Sequence, residues 1–209
     1  MMDDDDNWIT VEGLKWLQQG LTAVDTSRKL LAQRAEIEAE VEARRGLELL
    51  RSAMDWLENT DDDLFDQAHR SLDQAGQFTR TTFGCRLHRD GTSYQQRCPV
   101  ALAHNRVGFS VALLIKKSEC SICHTDPAQC PHVTGRLYDG ERCVRELKEF
   151  DILDVSLVGR PAQPDARILA ISISNADLQA ELGADFEPGI EVNCDRCLAP
   201  CAGIMRPFG

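Results

Sequence analysis

A short stretch in the middle of the chain holds three cysteines and a histidine, and it constrains the fold more than any other feature. Cys120 and Cys123 form a C-x2-C pair, and Cys130 and His132 complete a set of four after six intervening residues. Thiolates and an imidazole at this spacing can converge on one tetrahedral zinc ion, because the turn inside C-x2-C aims two sulfurs at the same point. His124 competes with His132 for the fourth position. The stretch therefore predicts a zinc knuckle.

A second group of cysteines lies near the end of the sequence. Cys194, Cys197 and Cys201 supply three thiolates, one fewer than a closed structural zinc site needs. The candidates for the missing ligand come earlier in the chain: Cys98, Cys85, Cys143 and His88. We favour Cys98 or Cys85, because a ligand so far away in sequence would pin the tail to the start of the domain. We expect Zn²⁺ here too, although a cysteine-only site also suits an iron–sulfur cluster.

The first part of the chain has the pattern of long helices. A helical pattern covers Thr10–Val24, and Asp25 or Thr26 can cap a second helix. That second helix is predicted over 27–57, which contains no proline and is rich in strong helix formers. A third helix is predicted over 64–78.

Apolar residues along these helices predict contacts with a partner helix. In the second helix they are Leu30, Ile37, Val41, Leu47, Leu50, Met54 and Leu57, and in the third Leu64, Phe65, Ala68 and Leu72. The last four of the second helix have 3-4-3 spacing, typical of one face laid on another helix, whereas the stripe loses phase around 44–46. We expect a helical hairpin that packs on its own domain or contacts a partner or second copy.

The composition changes at Thr81, where helix formers give way to Gly, Cys, Pro, aromatic and β-branched residues. Strands are predicted over 108–115, 136–138, 143–145, 150–158 and 167–173, with a turn at Asp139-Gly140 and a short helix over 175–182 capped by Ser174 or Asn175. The fold class is thus α+β. It consists of a helical segment in residues 1–80 and a zinc-stabilised β-rich domain in residues 81–209.

Bulk composition narrows the classes of function. The opening Met-Met-Asp-Asp-Asp-Asp has no signal-peptide form, and no apolar run approaches the ~18 residues needed to span a bilayer. We therefore expect a cytoplasmic protein without membrane contact, whose nine cysteines bind metal rather than form disulfides. The formal net charge of −11 argues against a nucleic-acid surface, because phosphate contacts depend on Lys and Arg.

Two neighbouring segments carry a family resemblance. Residues 154–158 read Asp-Val-Ser-Leu-Val, and residues 161–166 read Pro-Ala-Gln-Pro-Asp-Ala, a strand followed by a proline-locked corner. This pattern resembles the Glu-Val-Ser-Leu-Val and Pro-Ala-Asn-Pro-x-Ala motifs of the phage prohead (capsid maturation) proteases. The resemblance covers about residues 100–175. It implies a related β-rich fold in a phage, prophage or host-defence setting, with the knuckle inserted between two strands.

In that family an earlier strand carries the nucleophile as Ser-x-Gly-Phe. The nearest match here is Arg106-Val107-Gly108-Phe109, which puts Arg106 at the place of the nucleophilic serine. A serine nucleophile needs a base within hydrogen-bond reach. The resemblance therefore implies an inactive relative rather than a peptidase.

These observations predict a non-enzymatic zinc-binding module for protein interaction or assembly, whose helices contact a partner. The alternative is a prohead-type serine peptidase that uses Ser110 or Ser156 with His104. A third class is a zinc-ribbon adaptor for nucleic acid, which the acidic charge disfavours.

Overall fold

A computed structural model describes residues 8–208, in which three long helices precede small sheets and shorter helices. The helices are α1 (Trp8–Ala32), α2 (Glu36–Leu57), α3 (Asp62–Phe83), α4 (Pro99–His104) and α5 (Asn175–Leu182). The strands are β1 (His88–Asp90), β2 (Ser93–Gln96), β3 (Gly108–Cys120), β4 (Leu137–Tyr138), β5 (Glu141–Arg142), β6 (Arg145–Val158) and β7 (Ile171–Ile173). The predicted α+β class is confirmed. Among the described helices, none combines the length and the apolarity needed to cross a membrane.

α1 continues through Asp25 and Thr26, the two residues predicted to cap a second helix. The Thr26 hydroxyl donates to the Thr22 carbonyl within the helix (2.9 Å) instead of accepting a bond as an N-cap. The chain reverses only after Ala32, where Arg34 adopts a φ of 62°. The helix predicted over 27–57 is therefore wrong at its start, because its first turns belong to α1.

α1 and α2 form an antiparallel hairpin with close contacts at glycines. The facing pairs are Gly13–Leu57, Gly20–Leu50, Val24–Gly46 and Ser27–Ala39. A Cβ added to Gly20 would lie 2.7 Å from Leu50 Cγ. The two helices can therefore approach this closely only because residue 20 has no side chain. The Ser27 hydroxyl fastens the turn end of the hairpin by donating to the Ala39 carbonyl at 2.6 Å.

α3 packs across the hairpin and completes the main core. It begins at Asp61, whose carboxylate accepts the Leu64 N–H at 2.9 Å and so acts as the N-cap. The buried apolar side chains of this core are Leu17, Val24, Leu47, Leu50, Ala53, Met54, Leu57, Phe65, Ala68, Leu72, Ala75, Val100 and Ala103. Ile37 and Val41 are 80% and 60% exposed, because they lie two positions out of phase with the buried Ala39 and Ala43.

A long two-stranded ribbon dominates the β-rich part. β3 and β6 pair antiparallel from Gly108–Val158 at one end to Cys120–Arg145 at the other. Both strands extend the predicted ones towards the cysteine stretch, because residues 116–120 and 145–149 continue the same ladder. In the described part of the chain the ribbon is a sheet of its own.

The smaller elements pack around a second core. It consists of Leu87, Tyr94, Leu178, Phe186 and Val192. α5 has the predicted bounds and is capped by Ser174, while the strand predicted over 167–173 is reduced to β7, which pairs with β2. The turn at Asp139-Gly140 joins β4 to β5. These strands pair at 137–138 and 141–142, so the predicted second strand over 143–145 lies too late.

A buried cluster of charges joins α2 to the β-rich part. Arg106 is 1% exposed and donates to Asp55 and Glu58, with a distance of 2.7 Å to each carboxylate. Glu58 also accepts from Arg167 and, at 3.0 Å, from Arg206. Burial by itself would raise the pKa of Glu58, but these guanidinium groups hold it below its usual range. Charge pairs thus connect the helices, the β-rich part and the tail.

Candidate metal centres

The end of β3 leads into a tight turn that starts the zinc knuckle predicted from the sequence. Cys120, the last residue of β3, is buried, and its carbonyl accepts the His124 N–H at 2.8 Å. Asp126 then accepts the Ala128 N–H at 2.9 Å and caps a 3₁₀ turn over Pro127–Gln129. This turn carries the chain back to Cys130.

Four donor atoms converge there, from Cys120, Cys123, Cys130 and His132, all within 4.8 Å of one another. Cys130 Sγ lies 3.3 Å from Cys123 Sγ and 3.2 Å from His132 Nδ1, and Cys120 Sγ lies 3.7 Å from the same nitrogen. Around a tetrahedral zinc ion such atoms are about 3.5–3.8 Å apart. This knuckle cluster therefore fits a tetrahedral metal ion. His124 is exposed and lies outside the four converging groups.

Cys143 adds a fifth donor to the knuckle cluster. Its Sγ lies 3.6 Å from Cys120 Sγ, at the edge length of a ZnS₄ tetrahedron, about 3.8 Å. The segment around the β4–β5 turn brings it there, since Gly135 N–H donates to the Cys143 carbonyl at 2.8 Å. Cys143, a candidate for the tail site in the sequence, thus lies beside Cys120 at the knuckle and not with the tail cysteines.

The turn also favours the thiolate form of Cys120. Burial raises the pKa of its thiol, but the backbone N–H groups of Cys123 and Ile122 and the neighbouring thiols lower it overall to about 7. The Ile122 N–H lies 3.4 Å from Cys120 Sγ. Because the thiolate is the form that binds a metal ion, the backbone is arranged for a ligand rather than for a neutral core cysteine.

The tail divides its cysteines between two places. Cys194 and Cys197 lie beside Cys98, and the Cys98 thiol interacts with both. Contact with Cys194 lowers the pKa of Cys98, but contact with Cys197 and burial outweigh this and raise it to about 11. Cys85 is close as well, since its carbonyl accepts the Cys194 N–H at 2.9 Å. His88 is exposed on β1.

Cys201 lies elsewhere, against two histidines. Its Sγ is 3.1 Å from His104 Nε2 and 3.4 Å from His69 Nε2. With Asp73 these residues form a second group whose donor atoms lie within 4.8 Å of one another, which we call the His cluster. Sequence reasoning missed His69 and Asp73. Their spacing of four residues on α3 is a signal for a shared helix face, but their partners lie far along the chain.

The residues proposed for a peptidase have other partners. His104 Nε2 points into the His cluster, and the described residues give neither Ser110 nor Ser156 a hydrogen bond to it. The Ser156 hydroxyl donates to the Asp154 carboxylate at 2.6 Å, and Ser110 lies opposite Ser156 in the ribbon. Arg106, at the place of the family's nucleophile, belongs to the buried charge cluster.

Residues 106–109, at the place of the family's nucleophile motif, contact the proline corner of the resemblance. A Cβ added to Gly108 would lie 2.7 Å from Pro161 Cγ, so the start of β3 packs directly on the proline corner. Comparison of the chain with protein-family models, with curated proteins and with solved structures produced no match. The fold and the two clusters therefore define the class: an α+β protein with Cys/His groups that can bind metal.

Proposed function

We propose that this chain is a zinc-binding interaction module that associates with a second copy of itself through the β3–β6 ribbon. The main support for this proposal is the exposure of large apolar side chains along the ribbon. Between 39% and 66% of each of the following side chains is exposed: Phe109, Val111, Leu114, Ile115, Phe150, Ile152, Leu153, Val155 and Leu157. Such a patch on a folded chain is typical of an interaction surface.

The ribbon is a two-stranded sheet in the described part of the chain. An isolated pair of strands is marginally stable in water, and a third strand or a packed face is needed to stabilise it. Among residues 8–208 no strand pairs with the outer edge of β3, whose backbone is bonded only near its ends, at Phe109 (to the Ala166 carbonyl, 2.8 Å) and at Cys120 (to the Thr125 carbonyl, 2.9 Å). A partner strand on this edge would both satisfy the backbone and cover the apolar side chains.

The uncharged edge of β3 suits pairing with the same edge of a second copy. Residues 108–115 contain no charged side chain, so two β3 edges can meet antiparallel about a two-fold axis without like-charge contacts. Two copies with a formal net charge of −11 each repel one another, so an uncharged contact edge favours their association. β6 carries Lys148, Asp151 and Asp154 and is less suited to such pairing.

Zinc at the knuckle cluster would hold the ribbon in register. Cys120 is the last residue of β3, and it pairs with Arg145, the first residue of β6. Cys143, two residues before β6, has its Sγ 3.6 Å from that of Cys120, so a metal ion bound to both would fasten the two strands at this end. Thiolate and imidazole donors in a tetrahedral arrangement favour zinc among the common metal ions.

The helices are the alternative contact surface that the sequence suggests. Their main apolar stripes pack against one another in the core, which supports the ribbon as the association surface. Ile37 and Val41 on α2 remain exposed and define the competing surface.

The test compares charge substitutions on the two surfaces. We expect the wild-type chain to sediment as a dimer and Val111→Lys/Leu114→Lys to sediment as a monomer, because lysines on a strand edge oppose pairing. The matched variant Ile37→Lys/Val41→Lys should remain a dimer. A monomeric wild type, or a dimer that only the α2 variant dissociates, would contradict the proposed role of the ribbon.

A further inference from the structure

The His cluster brings four metal-binding side chains together from three elements. His69 and Asp73 lie one turn apart on α3, His104 is the last residue of α4, and Cys201 comes from the tail. His69 Nε2 and His104 Nε2 are 2.9 Å apart. Oxygens of Asp73 lie 3.1 Å from the His104 nitrogen and 3.4 Å from the His69 nitrogen.

The His104 ring turns its Nε2 toward the other three groups. Its Nδ1 lies 2.6 Å from the Val100 carbonyl, which can only accept, so Nδ1 carries the proton. The ring is 2% exposed, and its Nε2 faces another imidazole nitrogen, a carboxylate and a sulfur. A cation at the centre of the four groups would satisfy all of them at once.

The geometry suits a tetrahedral ion. Around zinc, nitrogen, oxygen and sulfur donors are about 3.3–3.6 Å apart. The five distances given above, all of which involve a histidine nitrogen, are within about 0.5 Å of that edge. The Val100 carbonyl supplies the outer hydrogen bond that typically orients a ligating histidine. A surface cleft lined by Asp73 and Cys201 reaches the cluster and leaves a path for an ion.

The backbone places Cys201 at this site. Met205 N–H donates to the His104 carbonyl at 2.8 Å, and Arg106 N–H donates to the Met205 carbonyl at 2.9 Å. The tail therefore runs beside the end of α4. The Gly203 N–H, 3.3 Å from Cys201 Sγ, stabilises negative charge on the sulfur.

α4 and the tail thus meet at two points. Cys98 precedes α4 and lies with Cys194 and Cys197, whereas His104 ends α4 and lies with Cys201. The spacing C-x2-C-x3-C near the end of the chain therefore serves two groups, which explains why the third thiolate does not complete the first.

From these contacts we infer that His69, Asp73, His104 and Cys201 bind a zinc ion of their own, separate from the knuckle cluster. The ion ties the tail to α3 and α4. This inference does not depend on association through the ribbon.

The test measures zinc per chain by elemental analysis on the full-length protein. We expect His69→Gln/Cys201→Ser to hold one zinc fewer than the wild type. The control is Asp66→Asn, which removes an exposed acid of the same helix and should leave the zinc content unchanged. Combining the double variant with Cys123→Ser should remove one zinc more, because the knuckle loses its ion independently.

A second measurement covers the case in which the double variant does not fold. Cys201 is exposed, so Cys201→Ser alone should keep the fold and should release one zinc at a chelator concentration that leaves the wild type loaded. Equal zinc content in the wild type and the double variant, or equal chelator resistance in the wild type and Cys201→Ser, would overturn the inference. Ribbon-mediated association is read out separately by sedimentation.

Discussion

Glu58 connects the helices to the β-rich part and the tail through three arginines. It lies at the C-terminal end of α2, is 2% exposed and accepts from Arg106, Arg167 and Arg206. Removal of one partner from a buried ion cluster leaves the others desolvated and unpaired, which costs more than the pair itself contributes.

We expect Glu58→Gln to lower the free energy of unfolding by about 3–5 kcal/mol, because the two buried guanidinium groups of Arg106 and Arg167 and the partly exposed one of Arg206 would lose their shared carboxylate. Urea denaturation followed by circular dichroism measures this. The control is Glu42→Gln, which removes an exposed pair with Arg45 and should cost less than about 1 kcal/mol. Similar losses in both variants would contradict a special role of the buried cluster.

For single residues, the sequence predicts metal ligands that are close together in the chain better than it predicts ion-pair partners that are far apart. The spacing of Cys120, Cys123 and Cys130 sets their convergence, because a few backbone dihedrals separate them. Arg106 is different: its carboxylate partners lie on α2, 48 and 51 residues away, and no local pattern points to them. The same distance in sequence hides the His cluster.

At the scale of the element, α1 and α2 depend on small residues where they touch. Gly20 faces Leu50, and Gly46 faces Val24, so each helix supplies a gap for a side chain of the other. Glycine inside a helix costs about 0.5–1 kcal/mol relative to alanine, and this cost is offset by the closer packing.

We expect Gly20→Val to destabilise the fold by about 1–3 kcal/mol, because its Cβ would overlap Leu50 and force the hairpin apart. Thermal unfolding measures the change. Gln19→Val, on an exposed position of the same helix, tests the effect of a β-branched residue alone and should cost less than about 1 kcal/mol. If Gln19→Val is as harmful as Gly20→Val, packing is not the cause.

Element boundaries follow the sequence where a local contact decides them. α5 begins after Ser174 as predicted, because the Ser174 hydroxyl accepts the Asp177 N–H at 3.0 Å. At Thr26 the same kind of signal is misleading, because its hydroxyl bonds within α1 and tertiary packing continues the helix. A pattern of short oxygen side chains cannot distinguish these two outcomes.

At the scale of the whole molecule, the side chains of the two clusters come from outside the α1–α2 hairpin, and the knuckle segment touches the hairpin at Trp8, where the Arg142 guanidinium lies 4.8 Å from the centre of the ring. The knuckle cluster ends the ribbon, and the His cluster joins α3 and α4 to the tail. The buried positions shared by α1 and α2 involve neither group. Metal binding should therefore stabilise the β-rich part and the tail more than the hairpin.

Removal of the metal tests this division. With a strong chelator, we expect amide hydrogen exchange within residues 120–145 and 194–205 to accelerate on the order of 100-fold or more, because ligand bonds contribute directly to folding. Residues 13–30 and 39–57 should keep their protection, since their contacts are apolar and helical. They serve as the internal control in the same experiment. Loss of protection along the whole chain would contradict the prediction, and it would mean that the shared core and the Glu58 cluster bind the hairpin and the metal-held part into one cooperative unit.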